Sequence, residues 1–146
     1  MKEITTKPEI NTDAIIAEAR KKYPDVRLFL VTHPYGGTYI IRPQLLVDVR
    51  EAAEKLRIFV EDKINDAGGT KAINALSEDE QAELQQKINA DYADYSNELV
   101  LSQCVIYPED FTDKLKRGTI PGGIIPFLLE KIMEVSCWGD AEVSEI

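Results

Sequence analysis

The sequence predicts an α+β fold that is mostly α: one β-hairpin, two long antiparallel helices and a C-terminal helical subdomain. Two short runs of β-forming residues flank a Gly-containing turn, which is typical of a hairpin. Two long stretches then repeat apolar residues every three or four positions, and a last apolar stretch follows a Pro/Gly turn. A length of 146 residues fits a single domain, and no repeat or linker divides the chain.

The chain is expected to begin with an N-terminal arm and a short helix. Residues 1–11 carry no apolar period, which predicts an arm. The helix is predicted over residues 13–22, with Thr12 or Asn11 as its cap and Pro24 beyond its end.

Residues 27–42 are expected to form the hairpin. Its arms, 27–32 and 38–42, are rich in Val, Ile, Leu, Phe and Tyr, and turn-forming residues lie between them. An isolated hairpin is marginal in water, so this one must pack on helices or gain a further strand.

Residues 44–107 are expected to hold the pair of long helices. The first spans 44–66, begins after Pro43 and ends at the glycine pair Gly68-Gly69. Its predicted apolar stripe consists of Leu45, Val49, Ala52, Ala53, Leu56, Phe59, Val60 and Ile64.

The second long helix is predicted over residues 78–103. Ser77 and Glu80 have the spacing of a capping box. A loop of about ten residues separates this helix from the first, so the two should lie antiparallel. Its apolar stripe is predicted as Leu84, Ile88, Tyr92, Tyr95 and Leu99.

Residues 109–139 are expected to form the C-terminal helical subdomain. A short helix over 109–116 should end at Gly118, and a final helix should cover 124–137. Residues 140–146 are expected to be an acidic tail. The predicted buried side of the final helix consists of Phe127, Leu128, Ile132, Val135, and Cys137 or Trp138.

The charge distribution and the lengths of the apolar runs disfavour nucleic acid and membranes as partners. The net charge is −9, with +2 in residues 1–60 and −11 in residues 61–146. A nucleic-acid binder needs clustered Lys and Arg, so no nucleic-acid partner is expected. No apolar run is long enough to span a bilayer, and residues 1–8 lack the apolar core of a signal peptide. The acidic half is expected to be a solvated face or a docking surface for a basic or amphipathic partner.

The residues that could support catalysis are few. His33 is the only histidine, and its place in the hairpin turn indicates a surface residue. Cys104 and Cys137 lie in apolar stretches and, with one histidine, fall short of a four-ligand zinc site. No catalytic residue, metal or cofactor is therefore expected. The alternative is a small enzyme or regulatory domain that uses His33 with a carboxylate.

Apolar residues are more frequent between positions 120 and 138 than one face of a surface helix requires. Part of this excess is expected in the core, and the rest is expected to contact a protein partner. Arg42 could instead form a structural ion pair with the acidic helix faces. The predicted partner-contacting residues are Phe127, Leu128, Ile132, Met133 and Trp138, with Tyr39 and Arg42 as a secondary patch.

Four short stretches carry a family resemblance. They are Tyr39-Ile40-Ile41-Arg42-Pro43, Cys104-Val105-Ile106-Tyr107-Pro108, Ile120-Pro121-Gly122-Gly123-Ile124-Ile125 and Val135-Ser136-Cys137-Trp138-Gly139. In order and spacing, the chain resembles small tail-assembly proteins of contractile-tailed bacteriophages. That group includes tail assembly chaperones and T-even-type baseplate hub proteins.

The resemblance implies a non-enzymatic protein that binds the tape-measure protein or baseplate hub subunits. It would act in the host cytoplasm during assembly, or remain in the virion tail as a permanent structural subunit. The chain departs from the family pattern at Ser136-Cys137-Trp138, where serine, glycine and phenylalanine are expected. Whether the chain forms an oligomer is left open by the sequence.

Overall fold

A computed structural model describes residues 12–35 and 37–137, which form six helices and one three-stranded sheet. This arrangement confirms the predicted α+β, mostly α fold. The predictions for the arm, for Trp138 and for the acidic tail lie outside the described residues. The elements in chain order are α1 Thr12–Lys22, β1 Phe29–His33, β2 Gly37–Ile41, α2 Leu46–Asp66, α3 Thr70–Asn74, α4 Glu78–Cys104, β3 Val105–Tyr107, α5 Phe111–Arg117 and α6 Ile124–Val135.

The hairpin gains its additional strand from β3. The sheet order is β1-β2-β3 and both pairings are antiparallel, with Val31 opposite Tyr39 and Ile41 opposite Val105. Helix α4 ends at Cys104, one residue beyond its predicted end, but residues 105–107, predicted as part of the helical pair, form β3 instead. β-branched and aromatic residues suit β3, and Pro108 after it prevents a return to helix.

Helices α2 and α4 lie antiparallel, as predicted. The Gln103 amide donates to the backbone oxygen of Asp48 (2.9 Å), and Lys63 pairs with Asp91 (3.2 Å). The start of α2 therefore faces the end of α4. Ser77 caps α4 by accepting a hydrogen bond from the Glu80 N–H (3.2 Å).

Three details of the helices differ from the predictions. The predicted loop between the long helices contains α3. Ala53 is exposed, because the α2 face that packs on α4 is centred on Ala52 and Leu56. The final helix ends at Val135, and Cys137 after it is exposed.

The core is concentrated around the sheet. The inward face of the hairpin, the end of α4, α5 and α6 enclose one large apolar cluster. A smaller cluster lies between α2 and α4, where Leu56 and Leu99 meet Ala52 and Tyr95. Residues 57–98 contain no buried side chain, so the far part of the helical pair is only partly covered. The buried members of the main cluster are Tyr39, Ile41, Leu101, Cys104, Val105, Phe111, Ile124, Leu128 and Ile132.

Candidate protein-binding surface

The structure places four of the predicted partner-contacting residues in the interior. Leu128 and Ile132 are fully buried, because they lie one turn apart on the face of α6 that packs against the core. Tyr39 and Arg42 are buried as well. Their assignment to an exposed partner surface is therefore corrected: these side chains are part of the fold. Trp138 lies outside the described residues.

Two of the predicted residues remain at least partly accessible. The Phe127 ring is half-buried and meets the edge of His33, with 4.8 Å between ring centroids. The Lys131 ammonium lies 5.9 Å from the Phe127 centroid. Met133, in contrast, is 54% exposed on the outer side of α6, beside half-buried Leu129. The outer side of α6 is thus the accessible part of the apolar stretch.

The start of α2 carries two exposed apolar residues that sequence reasoning missed. Leu46 and Val47 are each 64% exposed. A signal for them is present in the sequence, since three consecutive aliphatic residues, 45–47, cannot all share one face of a helix. At least one of them must face away from the side that α2 buries.

A hydrogen bond joins the start of α2 to the end of α6. The Gln44 N–H donates to the Ser136 hydroxyl (2.8 Å), which donates to the Ile132 carbonyl (2.5 Å). The exposed residues of α2 lie two and three positions after Gln44, and Met133 lies one turn before Ser136. Leu46 and Val47 on one side of this hydrogen bond, and Leu129 and Met133 within two turns of it on the other, are here called the α2–α6 apolar surface.

A buried ion pair fixes the first turn of α2 against the sheet. Arg42 donates to both oxygens of Asp48, at 2.6 and 3.0 Å, and to the carbonyl of Pro43 at 3.0 Å. The Asp48 carboxylate also accepts from the Leu45 N–H (2.8 Å). The Tyr23 ring lies over the guanidinium, with its centroid 4.9 Å away. Arg42 therefore forms a structural ion pair, as the alternative predicted, but its partner is Asp48 in the first turn of α2 and not the acidic face of a helix.

The surroundings of this pair favour the charged forms of both partners. Burial alone would raise the pKa of Asp48, but hydrogen bonds from Arg42 and from the Leu45 N–H, together with the Arg42 charge, lower it. Burial alone would lower the pKa of Arg42, but its hydrogen bond to Asp48 and the carboxylate charge raise it. At neutral pH the interaction is therefore between full charges.

Two of the residues considered for catalysis, His33 and Cys104, have structural contacts in the described part of the chain. The His33 Nδ1 accepts from the Tyr35 N–H (3.1 Å), which closes the turn. No hydrogen bond or ion pair among residues 12–35 and 37–137 joins His33 to a carboxylate. Cys104 is fully buried, and burial raises its pKa to about 12. Within the same ranges, no cluster of His, Cys, Asp and Glu could hold a metal ion.

No protein-family model, curated protein or solved structure matches the chain. In the part of the chain that the structure describes, no helix has both the length and the apolarity needed to cross a membrane.

Proposed function

We propose that this chain is a non-enzymatic assembly protein that binds a protein partner through the α2–α6 apolar surface. The observation that carries the proposal is the exposure of Leu46, Val47 and Met133, each more than half accessible, near the ends of two helices that the Gln44–Ser136 hydrogen bond links. Following the resemblance to tail-assembly proteins, the proposed partner is a tape-measure or baseplate hub protein. The proposed site of action is the host cytoplasm during assembly.

Exposed aliphatic side chains of this size favour protein contacts for a physical reason. Each methylene group removed from water contributes about 0.8 kcal/mol, so covering several such side chains would stabilise a complex by several kcal/mol. The net charge of −9 would keep such a complex dispersed while the partner's apolar helices are covered.

The proposal is tested by a pull-down from phage-infected cells with the tagged full chain as bait. The wild-type chain should recover a tape-measure or baseplate hub protein, identified by mass spectrometry. The triple variant L46S/V47S/M133S should recover at least about tenfold less, because three apolar contacts are lost. The matched control is I58S, which alters an exposed isoleucine on another part of α2.

Each outcome of this experiment bears on a different part of the proposal. Equal recovery by the triple variant and the wild type would refute the role of the α2–α6 apolar surface. Recovery of metabolic enzymes alone would refute the assembly function. The chain's presence in purified mature particles would instead identify a permanent virion subunit, since a chaperone leaves the finished tail.

A further inference from the structure

A second apolar region lies at the far end of the helical pair. A concavity of about 620 Å³, open on one side, separates α2, α3 and the first turns of α4. Five aliphatic side chains larger than alanine line its wall, and all five are half-buried. These side chains are Val60, Ile64, Ile73, Leu84 and Ile88.

The chain itself leaves this concavity uncovered within the described residues. Two helices can bury only the strip along their line of contact, so a wider apolar stripe needs a third helix against it. α3 is the element closest to that role, but it has five residues and buries none of them. It adds only Thr70 and Ile73 to the wall. Among the described residues, the far half of the pair is therefore a two-helix layer without a covering helix.

The segment that forms most of the concavity is negatively charged. Residues 61–91 hold eight acidic and three basic side chains, a net charge of −5. Lys63 is already paired with Asp91. Glu78 lines the concavity, Asp79 and Glu83 are exposed beside it, and no salt bridge among the described residues engages these three carboxylates.

We propose that the concavity binds an amphipathic helix of another protein, with apolar residues on the inserted face and Lys or Arg along its flanks. The half-buried aliphatic side chains of the wall would cover the apolar face of the partner helix. The carboxylates of Glu78, Asp79 and Glu83, the acidic rim, would pair with its basic flanks. A second copy of this chain would bring an equally negative rim, so like-charge repulsion disfavours self-association at this end.

This site is separate from the α2–α6 apolar surface. Residues 46 and 64 mark the two sites on α2 and lie 18 positions apart, which corresponds to about 27 Å along a helix. The inference therefore stands independently of the proposed function, and one can fail without the other.

The test uses two synthetic 18-residue peptides and the full-length chain. Both peptides carry leucines at the same helical positions, and the remaining positions are lysine in one and glutamate in the other. Binding of the fluorescein-labelled peptides is followed by anisotropy. The Leu/Lys peptide should bind, gain helical circular dichroism and bind more weakly as salt rises. The Leu/Glu peptide should bind at least about tenfold more weakly.

Variants with unchanged net charge distinguish insertion into the concavity from adsorption to an acidic surface. The double variant I64A/I73A should bind the Leu/Lys peptide about tenfold more weakly than wild type, because contact area inside the concavity is lost. The matched control I58A should bind like wild type. A far-ultraviolet circular dichroism spectrum equal to that of the wild type establishes that each variant is folded. If I64A/I73A is not folded, the double variant V60A/I88A replaces it.

Three results would overturn the inference. One is equal affinity of the wild type, I64A/I73A and I58A for the Leu/Lys peptide, which indicates adsorption by charge alone. Another is equal binding of the Leu/Glu peptide. The third is a dimer in sedimentation velocity that I64A/I73A abolishes, which would make a second copy the occupant.

Discussion

Replacing Asp48 by alanine should be among the most destabilising single changes in the chain. The substitution leaves the Arg42 guanidinium buried without its carboxylate and the Leu45 N–H without its acceptor. Both partners of the ion pair are more than nine-tenths buried. Removing one partner of such a pair costs about 3–5 kcal/mol, since an uncompensated charge remains in the interior. The free energy of unfolding of a single domain is about 5–15 kcal/mol, so this loss is a large share of it.

The double variant R42M/D48L separates the cost of a lone charge from the value of the pair. It removes both charges and leaves apolar side chains of similar volume, a replacement that is often neutral or stabilising by about 1–4 kcal/mol. We therefore expect it to be clearly more stable than D48A. The two single variants and the double variant together give the coupling energy between the two residues.

Urea unfolding followed by circular dichroism measures these differences. The control is E51A, which breaks the exposed Lys55–Glu51 pair on the same helix and should cost about 0.3–0.5 kcal/mol. A loss below about 1 kcal/mol for D48A would refute the reasoning. So would a double variant whose loss equals the sum of the two single losses.

The same pair sets part of the acid stability. The folded-state pKa of Asp48 lies below its ordinary value of 3.8. Its contribution to stability is therefore complete above pH 3.8 and is lost as the pH falls through the folded-state pKa. The urea midpoint of the wild type should fall more steeply below that pH than the midpoint of R42M/D48L. Parallel acid limbs would contradict this assignment.

Four further predictions follow from burial and backbone geometry. L128A should cost about 2–5 kcal/mol in urea unfolding, because Leu128 is fully buried, whereas M133A should cost less than about 0.5. S136A should cost about 1–2 kcal/mol by the same assay, since it removes the hydroxyl that accepts the hydrogen bond of the Gln44 N–H. At pH 8, a thiol reagent should label exposed Cys137 in the folded chain, and Cys104 only after unfolding. C137G should raise stability by up to about 1 kcal/mol in thermal unfolding, because Cys137 has a φ of 63°; a lower melting temperature would contradict this.

Much of the helical framework is predictable because its signals are local. Ser77 lies three residues before Glu80, and the structure uses that spacing as a cap. Both glycines of the pair after α2 adopt the positive φ angles that glycine readily allows, 96° and 92°. Signals of this kind depend on a few neighbouring residues, so a single sequence reveals them.

Strand β3 was not predictable from local pattern. Residues 105–107 continue the apolar end of α4, and a buried helix end and a short buried strand look alike over three residues. What decides between them is the open edge of β2, where Ile40 and Ile41 pair with Tyr107 and Val105. That edge is distant in sequence, so the outcome is a tertiary effect.

The candidate surface was predictable only in part, for a related reason. Helical periodicity places Leu128 and Ile132 on one face of α6 and Met133 on another, but it does not say which face the sheet will cover. The sheet covers the first face, so the apolar stretch divides into core and surface. Leu46 and Val47 were missed because their relevance depends on the contact between Gln44 and Ser136, which are 92 residues apart in sequence.

Helix α2 connects the three features that matter most in this molecule. Its first turn is held to the sheet by Arg42 and Asp48, and it carries Leu46 and Val47 outward beside α6. Its last turns form one wall of the concavity at the far end of the helical pair. The other walls of this concavity come from α3 and α4, so its shape does not depend on the ion pair. Loosening the first turn should therefore weaken contacts at the α2–α6 apolar surface while the concavity stays intact. A partner that spans about 27 Å could engage both sites, and the two affinities would then reinforce each other through a high effective concentration.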